Sequence, residues 1–383
     1  MRTTAILILG CTIGLPALAG GPDPELETRQ RMQPIFEAVR LLFPLSLDQE
    51  RFNDPALRDR ILASLQLLES SSGDLASHGQ ERGASFAFLS RSLSIDARDV
   101  HQRYEEGHVR EARFLVQQLV ETCVACHSRL PSEQSSGLSS QFSSNLEQAD
   151  LPLDQRAKLE YATRQFDRAV VTYEALLASP DFSPTTLDLM GHIDDYLELS
   201  IRVRGEYERP ARTLSSFGKR DEVSPALAGE VKHWIRSLRE IEKRKPAPKA
   251  LEEARLLVAD AGDAQRFRDE RDALVYYLQA GSVLHRYLED QPTDPDDVAT
   301  AYYMMGVIET RVGQSFWLSQ AEVFLETAIR TAPSSDVAVK SYDLLEEFMV
   351  AGYTGSGGAQ VPPDIQAKLD ELQRIVNEGR TGV

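Results

Sequence analysis

The sequence predicts an all-α fold in two helical parts, and three observations carry that expectation. Apolar residues recur at three- and four-residue spacing along most of the chain, as on amphipathic helices. Strand-like alternation bounded by Asn-Gly or Asp-Gly hairpin dipeptides is absent. In the second half a small–large–small pattern of side chains returns several times, as stacked helix pairs require. At 383 residues the chain exceeds one small core, so two or more packing units are expected. Its 42% hydrophobic and 26% charged residues exclude wholesale disorder.

Residues 1–19 read as a secretory signal. Arg2 is the only charge before Asp23, Ala5 to Leu9 opens an apolar stretch too short to cross a bilayer, and Ala17-Leu18-Ala19 offers the small residues a signal peptidase needs. Ile8-Leu9-Gly10-Cys11 loosely matches a lipoprotein signal, but cleavage there would strand the apolar residues 13–19 in the mature arm. No second apolar stretch is long enough for a membrane span. The mature chain is therefore expected in the periplasm, soluble or peripheral, with no transmembrane segment.

Four helices are expected over residues 20–131. The first covers 25–43, with Met32, Ile35, Phe36, Val39, Leu42 and Phe43 at helical spacing, and ends before Pro44. Asn53-Asp54-Pro55 is an N-cap followed by proline in the first turn, and starts a second helix that reaches Gly73. The third covers 80–106, with an irregularity near 94–96, and Gly107 stops it. The fourth covers 108–129, with a stripe of Ala112, Leu115, Val116, Leu119, Val120, Cys123 and Cys126. Four helices joined by short loops predict an antiparallel four-helix bundle. Residues 132–152, rich in Ser and poor in apolar residues, read as a linker.

Beyond the linker, Ala169 is followed by Tyr173 and Leu176, Pro210 by Leu214 and Phe217, Ala273 by Tyr277 and Ala280, and Ala321 by Leu325 and Ala328. This spacing resembles the second helix of the tetratricopeptide repeat. The resemblance implies an α-solenoid-like domain over 153–383 that docks a protein partner. The separations of 41, 63 and 48 residues depart from the family's period of about 34. A loop at 352–363 precedes a last helix at 363–378.

Charge is uneven. The formal net charge is −17, made of −4 over residues 20–131, −14 over 132–383 and +1 in the signal. Such acidity argues against nucleic acid, whose phosphates would be repelled, and gives either a solvated surface or a face for basic partners. No catalytic set is visible: His192 near Asp194 and Asp195, and His233 beside Trp234, lack an accompanying nucleophile or metal-ligand spacing. The chain is read as a non-enzyme.

The chemistry-bearing motif is Cys123-Val124-Ala125-Cys126-His127. Cys-x-x-Cys-His is the pattern of covalent c-type haem attachment. Each thiol adds to one porphyrin vinyl, and on a helix His127 shares the face of Cys123, from which it can ligate iron. One covalent haem c is expected. A thioredoxin-like pair needs a βαβ setting, a zinc half-site needs further Cys or His nearby, and a disulfide would close a tiny loop of little stabilising value.

The motif stands at the end of a fourth helix. That order resembles the class II cytochromes c, the cytochrome c′ family, across residues 25–130. The resemblance implies a distal residue from the first helix, and Met32, the only Met of this domain, lies where low-spin members supply their ligand. The metal set is then His127 and Met32. Pro34 and the sequence His127-Ser128-Arg129-Leu130-Pro131 depart from the family pattern. His78, His101 and His108 are alternative distal ligands, and Arg29, Arg31 and Arg129 are candidates for pairing with haem propionates.

The expected function is electron transfer by an exported monohaem cytochrome whose repeat domain docks a redox partner. Two other classes are carried beside it: a gas-binding or sensing haem protein with an open sixth position, and a tetratricopeptide scaffold with an accessory haem.

Overall fold

The computed structural model describes residues 24–80, 83–129, 151–180, 189–265, 270–312 and 319–382. The expected signal at 1–19 and most of the expected linker lie outside them. The described chain is all-α, and its one exception is a two-residue antiparallel ladder, β1 (Thr354–Gly355) with β2 (Gly358–Ala359).

Before the gap at 130–150 the helices are α1 (Pro24–Leu47), the single turn α2 (Gln49–Phe52), α3 (Arg58–Gly79), α4 (Ala84–Glu105) and α5 (Val109–Arg129). α1 packs on α3, α3 on α4, α4 on α5, and α5 on α1. Neighbours run antiparallel. Thr28 meets His78 at one end, whereas Tyr104 donates to the Phe52 carbonyl and Arg58 to the Glu105 carbonyl at the other.

Three boundaries differ from the sequence expectation. α1 passes through Pro34 and Pro44 to Leu47, although an internal proline costs about 3 kcal/mol. Burial of Leu42, Phe43 and Leu45 offsets that cost, and the Ser46 carbonyl is taken up by Arg113 at 3.0 Å and Gln117 at 2.7 Å. α3 continues past Gly73 to Gly79, because α3 and α4 approach so closely that a Cβ at Gly79 would stand 2.5 Å from Ser90 Oγ. α4 is unbroken through 94–96, with Ser94 turned into the same contact.

After the gap come α6 (Leu153–Ala162), α7 (Phe166–Ala178), α8 (Leu189–Glu198) with a π-helical turn at Leu199–Val203, α9 (Glu208–Phe217) and α10 (Pro225–Lys243). They are followed by α11 (Ala250–Ala264), α12 (Leu274–Glu289), α13 (Pro295–Val312), α14 (Ala321–Thr331), α15 (Asp336–Gly352) and α16 (Pro363–Thr381). The strongest neighbour pairings are α13 with α14, α11 with α12, α6 with α7, and α14 with α15, followed by α9 with α10. The recurring small residues Ala169, Ala273, Ala280, Ala321 and Ala328 are fully buried, with Tyr173 and Leu325 beside them.

Gly306 shows what that spacing achieves. A Cβ there would collide with the Leu325 side chain, so α13 and α14 meet through a glycine. Gly306→Ala is expected to destabilise the chain by about 1–3 kcal/mol through overpacking, read as a lower urea midpoint with an unchanged slope.

The two stretches of chain share one core. A continuous cluster of buried apolar side chains runs from Ile35 through Val120 and Cys123 to Tyr173, Trp234, Leu284 and Phe324. A second, smaller cluster joins Leu325 and Ile329 to Tyr342, Leu345, Leu369, Leu372 and Val376. α5 packs against α1 and α4 on one side and against α6 and the π-helical turn on the other, while α14 touches α4. Among the described residues no helix is long and apolar enough to cross a membrane.

Candidate functional site

The last two turns of α5 carry Cys123, Cys126 and His127. An i, i+4 spacing puts Cys123 and His127 on one face, and both are buried, Cys126 less so. Both thiols are free. Burial, with Cys126 nearby, pushes the Cys123 thiol up to about 12; burial, partly opposed by Arg164 and Arg129, pushes Cys126 up to about 11. Burial, with Arg164 beside the ring, lowers His127 to about 3, against the pull of the Ala162 carbonyl. The imidazole is therefore neutral at physiological pH, the form that binds a metal. Its Nδ1 is buried and has no hydrogen-bond partner.

Met32 is partly buried and packs against the same core as Cys123. The bonds from Arg113 and Gln117 to the Ser46 carbonyl fix the register of α5 against α1. Both helices rise about 1.5 Å per residue. Counting equal steps back along α1 and forward along α5 brings Met32 level with Arg129, beside the end of the motif.

The alternative distal histidines are engaged elsewhere or distant. His78 Nε2 meets Thr28 Oγ1 at 3.0 Å and its Nδ1 lies 3.6 Å from Glu27, while His101 Nδ1 meets Glu69 at 2.6 Å. His108 is exposed at the opposite end of α5 from His127. Arg31 pairs with Glu27 at 3.5 Å and Arg129 with Glu309 at 3.0 Å.

The far side of α5 meets a buried polar layer that pattern reading missed. Lys158 Nζ on α6 lies 2.7 Å from Glu121 on α5 and 2.7 Å from Asp195 on α8, and Tyr173 donates to Asp195 at 2.9 Å. Burial works against the Lys158 charge, but the two carboxylates override it and raise its pKa. Burial raises Glu121, since one ammonium serves two acids. Tyr161 of α6 is fully buried beside the end of α5, and its hydroxyl has no hydrogen-bond partner.

Beside this layer, Arg202 in the π-helical turn donates to Glu198 at 2.5 Å, and the backbone N–H of Gln320 donates to the Glu309 carboxylate at 3.4 Å. Seven buried atoms here have no partner: Nε and Nη1 of Arg129, Nε and Nη2 of Arg202, Nε2 of His285, and both side-chain polar atoms of Gln320. Leaving such an atom bare costs about 1–3 kcal/mol. The signal that could have found these residues is a charge inside an apolar run: Arg202 in Leu199-Ser200-Ile201-Arg202-Val203, and Glu309 after Met304-Met305-Gly306-Val307-Ile308.

The donor set suits a covalently held haem better than the other readings of Cys-x-x-Cys-His. The thiols are unbridged and neighbours on one helix, and a neutral imidazole with a bare nitrogen shares their face. An all-α chain offers no βαβ setting for a thioredoxin-like pair. Among the described residues no three His, Cys, Asp or Glu gather to hold a bare metal ion. No protein family, no curated protein and no solved structure matches the chain.

Proposed function

We propose that the chain is an exported, monohaem c-type cytochrome that transfers electrons. In this reading residues 1–19 are a signal peptide, 20–131 a haem-binding four-helix bundle of the class II kind, 132–152 a linker, and 153–383 a tetratricopeptide-like solenoid. The observation that carries it is the pair of free thiols on Cys123 and Cys126 with the neutral imidazole of His127, its Nδ1 unpaired, on the same buried face.

Cys123 and Cys126 would hold haem c by thioethers, and His127 and the Met32 thioether would ligate its iron. Bound there, haem supplies an iron that cycles between the ferric and ferrous states. The chain's own contribution is positional. α6 packs against α5, and its Ala162 backbone acts on the His127 imidazole, which steadies the helix that carries all three motif residues. The acidic second half, at −14, favours a basic redox partner docked on the repeat helices.

The absorption spectrum of the exported protein tests this reading. Covalent haem with a six-coordinate, low-spin spectrum is expected, and Met32→Ala is expected to turn it high-spin and open the reduced form to carbon monoxide. A wild-type protein that is high-spin and takes carbon monoxide favours gas binding instead. A protein without haem absorbance removes the cytochrome reading.

A further inference from the structure

Arg129 and Arg202 come from different parts of the chain, on elements that pack against each other. Arg129 ends α5, two residues past His127, and Arg202 sits in the π-helical turn that packs on α5. Their side chains are 9% and 1% exposed. Both guanidinium groups act on His285, and Arg129 also acts on the Cys126 thiol. Each arginine spends one nitrogen on a carboxylate, Arg129 on Glu309 and Arg202 on Glu198. The other two nitrogens of each are buried and bare.

A glycine on α12 lets one of the two guanidinium groups settle at this depth. Arg202 lies flat over Gly281 of α12, where a Cβ would stand 3.3 Å from Nη2, and His285 follows one turn later on the same face. A planar fork of N–H groups matches the two oxygens of a carboxylate. Guanidinium groups cannot lose their protons, so bare nitrogens at this depth call for an acceptor that the chain itself does not provide.

We propose that Arg129 and Arg202, with His285 beside them, form a buried carboxylate site that receives one propionate of the haem. The inference rests on the haem reading of the Cys123-to-His127 motif and adds a role for the second half of the chain. Arg202 is a residue of the repeat helices that binds the cofactor of the bundle. The propionate enters as an acceptor for N–H groups already oriented, and the two halves of the chain close on one prosthetic group.

The test uses the full-length holoprotein carrying haem with ¹³C-labelled propionates. Infrared spectra of wild type, Arg202→Met and Arg202→Lys read the carboxylate stretches, and haem staining after denaturing electrophoresis reads covalent attachment. One propionate band of the wild type is expected away from the position of a solvated carboxylate. Arg202→Met should return it to that position and lower the reduction equilibrium constant about tenfold, which is about 59 mV; Arg202→Lys should do less. Two solvated bands in the wild type would overturn the proposal with no variant needed. Unchanged bands in an Arg202→Met protein that keeps its haem would also overturn it, since the donors then hold water alone. A wild-type chain that takes up no haem would remove the cytochrome reading and this site together, a result distinct from both.

Discussion

Lys158→Met is expected to destabilise the folded chain by about 3–5 kcal/mol, as measured by guanidinium unfolding at neutral pH. The Lys158 side chain is 15% exposed, and its ammonium stands 2.7 Å from Glu121 and 2.7 Å from Asp195. Methionine fills much of the same volume, so the loss is electrostatic. Two carboxylates are left facing each other with only the Tyr173 hydroxyl to share. Glu121→Gln should cost much less, because Lys158 keeps Asp195 and the Glu121 side chain is 38% exposed. A loss below about 1 kcal/mol for Lys158→Met would mean that water reaches the layer and the triad behaves as a surface pair.

The second large effect concerns the cofactor. Changing Cys123 and Cys126 together to serine is expected to abolish haem that survives denaturing electrophoresis, while each single change keeps a one-thioether adduct. Haem staining of the three variants beside wild type reads this directly. Retention of stain in the double variant would sink covalent attachment at this motif, since no other cysteine remains after residue 19. The double variant loses only two sulfur atoms from a helix whose Ala112, Val116, Leu119 and Val120 remain packed, so helix content by circular dichroism should persist.

Much of the architecture was legible from side-chain periodicity, because amphipathic stripes are local. Of the α5 stripe, Ala112, Val116, Leu119, Val120 and Cys123 are buried and Leu115 is partly so; Ala169, Ala273 and Ala321 are buried too. Helix ends were less legible where tertiary contact overrode local preference. Pro44 ought to stop α1, yet Arg113 and Gln117, both far along the chain, capture the Ser46 carbonyl and hold the last turn. Gly73 read as a stop because its backbone freedom is visible, whereas the close approach of α4 further on, at Gly79, is not. At the site, the spacing of Cys123, Cys126 and His127 announced itself. Lys158, Arg202, His285 and Glu309 did not, since each looks like an ordinary helix residue until folding sets it opposite its partner.

The shared core has a consequence for how the molecule comes apart. Buried side chains are continuous from Ile35 to Phe324, across both the residues that carry the motif and the helices that follow, and only the end of the chain, from Leu325 to Val376, has a cluster of its own. Opening free energy follows such contiguity. Amide hydrogens in α5 and α8 therefore exchange only through the global transition, while those of α15 and α16 exchange earlier through partial opening. Cooperativity is expected to run straight through the chemical boundary between the motif and the helices that follow it.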